Sequence, residues 1–363
     1  MRQQYPLIIG AGPAGSAAAI MLARSGAKPT VLEAQHEQGD AICGGFISWR
    51  TIQSLNALGL ETEDLRGHPV SRVALFAGGQ SATAPLPAGA MGISRRRLDA
   101  LLAAKAVGEG AGLERGVSVR ALGADGSLTL KDAATMTPES LFIATGKHDL
   151  RGLGRDRDDA PTLGLRVRIA PHPALLALIG DAIELHLFDG GYAGLMLQED
   201  GSANLCMAVR KSALTDAGGD PKVLLAALAA ENAALGDRLA YMDIAPGVDA
   251  VAAVPYGWIT NSTVSGQFRL GDQAACIPSL AGEGNGLALA SGMAAARHWL
   301  DGGAGSAPEY QRAFARAAWR PVKTATLLWH WAETPRLAPI MLTATRLAPS
   351  LAKLAAAMTR IGR

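Results

Sequence analysis

Three glycines, one acid and one thiol mark where this chain can do chemistry. Gly10, Gly12 and Gly15 stand in G-x-G-x-x-G spacing directly after the apolar run Leu7 to Ile9, and Glu33 closes the next apolar run, Thr30 to Leu32. The first glycine permits a tight turn, the second lets backbone approach a pyrophosphate, and the third lets a helix pack closely on a strand. Pro13 and Ala14 open the alanine-rich segment that runs to Arg24. Its free N–H groups and dipole favour an anion. Glu33 can accept hydrogen bonds from a ribose diol and disfavours a 2′-phosphate, so the site suits FAD or NAD better than NADP. Cys43 follows Ala34 in the same loop, next to Gly44 and Gly45. On so permissive a loop the thiol can touch the reactive ring of a bound cofactor, and a small buried cysteine is the plain alternative.

These residues need a parallel strand, a helix and a second strand to hold them, and the order of apolar runs supplies all three. Further on, Ser94-Arg95-Arg96-Arg97-Leu98-Asp99 opens a helix to about Gly108, where an arginine can reach a pyrophosphate. Val117 to Arg120, Leu128 to Lys131 and Leu141 to Ala144 read as strands, the last running into Thr145-Gly146-Lys147. From about Arg151 to Ser262 the pattern changes to hairpins. Glu184 to Phe188, Gly194 to Gln198 and Ala203 to Val209 alternate as strands between Asp-Gly turns, and Pro221 to Leu235 reads as one helix. Phe268 to Gly286 then returns to the first style. Asp272, after Gly271, can bind a polyol hydroxyl, and the N–H groups from Gly284 through Asn285 to Gly286 can stabilise negative charge on a reduced ring.

The chain has 363 residues, 49% hydrophobic and 18% charged, with a formal net charge of +2. That suits two domains with a sizeable core and gives no reason to expect a nucleic-acid partner. The three cysteines are far apart, with no C-x-x-C and no cysteine–histidine cluster. This predicts a reducing, cytoplasmic setting without a metal. The tail from Arg336 to Arg363 holds five basic residues and no acid. Ile340, Leu347, Leu351, Leu354, Met358 and Ile361 share one helical face, which fits peripheral membrane contact, a lipid pocket or docking on the protein itself.

Together the segments resemble the FAD-dependent oxidoreductases that include geranylgeranyl reductases and para-hydroxybenzoate hydroxylase-like aromatic monooxygenases. The resemblance covers nearly the whole chain to about Trp299. It rests on Gly10, Gly12, Gly15 and Glu33, on Arg95 in R-x-x-L-D, and on Gly271-Asp272 followed by Pro278, Gly282 and Gly284. It implies an α/β fold: a Rossmann-type FAD-binding domain (1–69, 90–150, 263–320), an inserted antiparallel-sheet substrate domain (70–89, 151–262) and a helical tail (321–363). It also implies that Glu33 holds the adenosine ribose, Arg95 the pyrophosphate or ribityl region and Asp272 the ribityl chain. Gly284, Asn285 and Gly286 would face the flavin pyrimidine edge, and NADH or NADPH would be a transient donor.

Two departures divide the family traits. The A-D-G segment of the monooxygenases is Ala144-Thr145-Gly146 here, and of the Y-x-W-x-F-P motif of the prenyl reductases only Tyr192 remains. Cys43-Gly44-Gly45 in turn resembles the reductase loop. Hydroxylation of an aromatic, polyketide-like or lipid-like molecule through a flavin hydroperoxide is the leading expectation, with Tyr192 and His186 as proton acceptors or relays. The others are double-bond reduction in a prenyl or lipid chain, with Cys43 as proton donor, and a non-catalytic prenyl-binding escort.

Overall fold

The computed structural model describes residues 5–155, 162–242, 247–252 and 254–362. Five short strands form a parallel sheet in the order Gln267–Arg269, Leu141–Ile143, Leu7–Ile9, Thr30–Glu33, Gly112–Arg115. The middle strands are apolar because both faces are covered: the helices Pro13–Arg24, Arg95–Gly108 and Gly284–Gly302 pack on Ile8, Val31, Phe142 and Phe268, and the strands Val119–Leu122 and Leu128–Leu130 pack on Ile9, Leu141 and Ile143. Phe142 and Phe268, on neighbouring strands, stack at 4.6 Å. The helix Pro13–Arg24 packs on Gly284–Gly302 so closely that a Cβ on Gly292 would lie 2.2 Å from the carbonyl oxygen of Ala14. The run of alanines at 14, 17 and 18 makes that approach sterically open, and all three are buried.

A second sheet has eight strands, ordered Asp249–Val251, Thr162–Ile169, Ala203–Arg210, Gly191–Leu197, Ala182–Phe188, His68–Ala77, Gln80–Gly92, Phe46–Ile47. Its pairings are antiparallel except where Ala182–Phe188 lies parallel to His68–Ala77. Side chains alternate across it. Leu165, Val167, Leu195, Leu205 and Val209 pack under the helices Pro173–Ile179, Pro221–Glu231 and Ala233–Leu239. The opposite face turns toward the first sheet. Three strands, Val119–Leu122, Leu128–Leu130 and Thr135–Met136, form a separate meander.

Two segments expected as single helices are broken. Pro221 to Leu235 divides at Asn232, whose extended backbone ends one helix while its side chain accepts from Leu235 N at 3.0 Å and caps the next. The tail forms Ala338–Leu347 and Pro349–Met358. Pro349 pushes Ala348 out of helical geometry, to φ −140° and ψ 76°, and starts the second helix itself. Arg346, Lys353 and Arg360 therefore do not form one basic stripe: Arg346 bonds Ser81 and Gln80, Lys353 is exposed and Arg360 is buried.

Candidate FAD and substrate site

The turn after Leu7–Ile9 has the shape its glycines require. Gly10 sits at φ +99°, and a Cβ there would meet the Ala144 carbonyl oxygen at 2.5 Å. A Cβ on Gly15 would meet the Gly10 carbonyl oxygen at 2.0 Å. Glu33 accepts from Ala11 N at 2.8 Å and Gln35 N at 3.0 Å, which fixes the carboxylate at the end of its strand. Ser94 caps the helix Arg95–Gly108 by accepting from Arg97 N at 3.1 Å. That cap presents Arg95 to the glycine turn, where its Nη2 lies 3.4 Å from the Cβ position of Gly12. Asp99 takes both Nε and Nη2 of Arg95, at 2.8 and 2.7 Å. Burial works against the Arg95 charge, but the adjacent Asp99 carboxylate outweighs it and raises the pKa. A fixed cation therefore sits beside the glycine turn.

The opposite wall comes from residues 271–286. Gly271, at φ +55°, donates its N–H to Ser291 Oγ at 2.7 Å and places Asp272 on the cavity wall. Arg155, absent from the sequence expectations, ties this wall to the 147–149 turn. It bonds Asp149 at 2.7 Å, the Asp272 carbonyl at 3.0 Å and the Lys147 carbonyl at 2.8 Å. No motif surrounds it in the sequence, so only the fold reveals it.

The Cys43 loop is held from several sides. Asn204 donates to the carbonyls of Cys43 and Gly44, both at 2.9 Å. Arg166 holds the Ala41 carbonyl at 3.0 Å, and Lys147 the Ile42 carbonyl at 2.8 Å. Cys43 Sγ receives Gly45 N at 3.4 Å and lies 3.7 Å from Asn285 Nδ2, at the start of the helix Gly284–Gly302. The thiol expected near the reactive ring thus meets the helix N-terminus expected at the pyrimidine edge.

Glu283, just before that helix, is fully buried. Its carboxylate receives Arg360 Nη1 at 2.6 Å, Ser48 Oγ at 3.1 Å and Ile361 N at 3.4 Å. The Arg360 guanidinium also lies over the Phe46 and Trp49 rings, at 5.6 and 5.3 Å. Burial raises the Glu283 pKa, and Arg360 counters it. The tail is thereby fastened to the loop that opens the helix Gly284–Gly302.

One continuous cavity of about 750 Å³ runs from Gly10, Glu33 and Arg95, past Cys43, Asp272 and Asn285, to the inner face of the second sheet. The sheet end is mainly apolar, with Ile183, Leu185, Met196, Cys206, Ile277 and Leu280. Arg166 and Asp249 also reach this end, and they pair with each other at 2.6 Å. Tyr192 donates to Ser279 Oγ at 2.6 Å, and Tyr256 Oη lies 2.9 Å from the same oxygen. Burial drives both phenol pKa values up, and it pushes the Cys206 thiol to about 11. Near neutral pH these groups hold their protons. Tyr256 and Ser279 were missed from sequence because each is an ordinary residue until the fold gathers them around Tyr192.

His186 does not join them. It points with Glu184 to the opposite face of the sheet, fully buried, stacked on Phe76 at 4.5 Å and 3.2 Å from a Glu184 oxygen. Glu184 also takes two bonds from Arg238, at 3.0 and 2.7 Å. The neighbours Ile183 and Leu185 line the cavity instead, as strand alternation requires. The face shared by residues 184, 186 and 188 is thus the wrong one for a proton relay. His186→Ala is expected to lower the melting temperature, as loss of a packed ring does, while leaving turnover by the folded enzyme within about twofold on the order of experimental scatter for a remote site. Thermal unfolding and steady-state rates measured side by side check this.

The residues fit the dinucleotide cofactor their pattern implies: a glycine turn with no room for side chains, a fixed arginine, and open space beyond the Cβ positions of Gly44 and Gly284. Comparison with known proteins agrees. Residues 5–136 match the FAD binding domain family. Menaquinone reductase of Mycolicibacterium smegmatis is 27% identical over 321 residues, 82% of this chain and 76% of that protein. A menaquinone reductase of Mycobacterium tuberculosis is 28% identical over 313 residues, 80% of this chain and 75% of its own. Among solved structures, P. aeruginosa PqsL bound to 2-aminobenzoylacetate superposes with TM-score 0.76 at 17% identity, covering 93% of this chain and 99% of PqsL. A flavoprotein/dehydrogenase of Cytophaga hutchinsonii gives TM-score 0.80 at 15% identity, over 98% and 92%. Residues 5–136 thus carry an FAD binding domain, and the chain as a whole shares the fold of these solved flavoproteins.

Proposed function

We propose that this enzyme reduces a carbon–carbon double bond in the prenyl chain of a lipid, a prenylated quinone being the best-supported substrate class, with NADH or NADPH supplying electrons to FAD. The observation that carries this reading is Cys43, held by Asn204 and touching Asn285, at the junction between the flavin end of the cavity and its apolar end. The likeness to two proteins named menaquinone reductase supports the substrate class. FAD, when bound, supplies the hydride. The chain's own residues do the rest. The apolar wall accepts a hydrocarbon chain and excludes water, and the Cys43 thiol stands ready to give its proton to the second alkene carbon. Tyr192 and Tyr256, locked in their protonated forms, can donate hydrogen bonds to a quinone oxygen.

Hydroxylation of an aromatic ring is the second reading, favoured by the Tyr192–Ser279–Tyr256 hydroxyl chain, which suits a phenolic oxygen. Both readings are tested by incubating FAD-loaded enzyme with NADPH and menaquinone, with and without oxygen, and weighing the product after reoxidation in air. Double-bond reduction leaves a gain of two hydrogens formed without oxygen. Ring reduction to the quinol alone leaves the mass unchanged. Hydroxylation adds one oxygen atom and requires oxygen gas. Cys43→Ala is expected to slow double-bond reduction by about 10²–10⁴-fold, the contribution of a general acid, with flavin reduction by NADPH unaffected. An unchanged product rate in that variant would remove Cys43 as the donor.

A further inference from the structure

Charge is divided unevenly along this chain. From Gln311 onward the sequence holds nine lysines and arginines against one acid, Glu333, while the rest holds 25 against 31. Glu333 is buried and bonded to Arg210 at 2.7 Å, and Arg360 is buried and bonded to Glu283 at 2.6 Å, so neither contributes to the outer charge. A segment near +8 thus sits on a body near −6.

The apolar side chains of the same segment are also misplaced for an ordinary surface. On the helix Ala307–Ala332, Trp319 is 60% exposed and Leu327 55%, among exposed Arg312, Arg316, Arg320 and Lys323. On the tail helices, Leu347 is 82% exposed, and Leu351 and Leu354 are more than half exposed. Positions 351, 354 and 358 lie on one face of the helix Pro349–Met358, and Leu347 ends the helix before it. The half-buried Ala352, Ala355 and Ala356 form the other side of the second helix, which packs against the strand Gln80–Gly92. The leucine stripe therefore faces away from the protein.

We propose that these C-terminal helices are a docking surface for an anionic lipid bilayer. Leucines and tryptophans enter the boundary between headgroups and acyl chains, and the flanking arginines and lysines meet lipid phosphates. Among the described residues no helix is long and apolar enough to cross a membrane, so the contact is peripheral. A second copy of the chain is the poorer occupant, because a two-fold contact would set one strongly positive face against another. The docking surface stands whatever the substrate proves to be.

Co-sedimentation of the full-length FAD-loaded protein with vesicles tests it. Vesicles with one-third phosphatidylglycerol should carry down most of the protein at low salt and vesicles of phosphatidylcholine little. Leu351→Glu with Leu354→Glu should cut binding at least tenfold, and Arg316→Glu with Arg320→Glu should do the same. Leu176→Glu, an exposed leucine elsewhere, should have no effect. Circular dichroism confirms that each variant remains folded. Equal binding to both vesicle types, no binding to either, or a concentration-dependent dimer that disappears with the leucine substitutions would overturn the proposal.

Discussion

Arg360→Ala is expected to release FAD and to lower stability by about 3–5 kcal/mol, the usual effect of removing one partner of a buried ion pair. The substitution leaves Glu283 charged, buried and short of its strongest donor. It also removes the guanidinium over Phe46 and Trp49. Both losses fall where residue 283 leads into the N-terminus of the helix Gly284–Gly302, on the cavity wall. Glu283 has its pKa raised in the fold from 4.5, so protonation favours the folded state. That contribution is complete below pH 4.5 and fades as pH rises through the folded value. Without Arg360 the folded value rises further, and the variant's deficit should therefore narrow on acidification toward 4.5. Denaturant unfolding across pH, with flavin fluorescence as a second readout, checks both parts. Glu283→Gln combined with Arg360→Met should restore most of the stability, because no bare charge remains. A single Arg360→Ala with normal stability and normal FAD retention would show that the ion pair holds nothing in place.

Two glycine substitutions are expected to separate packing from cofactor contact. In Gly15→Ala the new methyl would sit 2.0 Å from the Gly10 carbonyl oxygen and 3.1 Å from Ile8. Helix or turn must move, at a cost of about 1–3 kcal/mol for such overpacking, and FAD binding should weaken by more than a hundredfold because the anion-binding turn itself is displaced. In Gly284→Ala the methyl meets nothing within 4 Å. The FAD-free protein should be as stable as before, since alanine suits a first helical turn better than glycine, yet FAD should bind more weakly because the methyl enters the space left for it. Melting temperature and FAD titration on both variants give a two-by-two outcome. Loss of FAD affinity in Gly15→Ala with full affinity in Gly284→Ala would place the flavin elsewhere in the cavity.

Much of the cofactor end could be read in the sequence because its requirements are local. The glycine spacing, the acid ending the second strand and the Gly271-Asp272 turn are each set by the backbone geometry of a few neighbouring residues. The strands Leu7–Ile9, Thr30–Glu33 and Leu141–Ile143 and the hairpin strands from Ala182 to Arg210 followed from the same short-range patterns, whereas Gly112–Arg115, Gln80–Gly92 and Thr162–Ile169 did not. The substrate end was far less readable. Tyr192 stood out only with its motif, Tyr256 comes from a segment with no pattern of its own, and Ser279, though inside the Pro278–Gly282 loop, gave no sign of facing Tyr192. His186 was misplaced for a plain reason: alternation says which residues share a face but not which face looks into the cavity. Only the helices Pro221–Glu231 and Ala233–Leu239, covering one side of the sheet, decide that. Arg155 and Arg360 are likewise buried ionic ties between distant segments, which single-chain periodicity does not register.

The bond between Arg360 and Glu283 also imposes an order on biosynthesis. A ribosome releases Gly10 to Glu33 early and Arg360 long after the rest of the cradle, so the N-terminal unit can begin to fold while the loop at Glu283 still lacks its cation. During that interval the nascent chain has its glycine turn but an unfinished loop at the opposite wall of the cavity. Firm cofactor capture is therefore a late event in the life of the polypeptide, and a nascent chain halted before Arg360 should hold flavin only loosely.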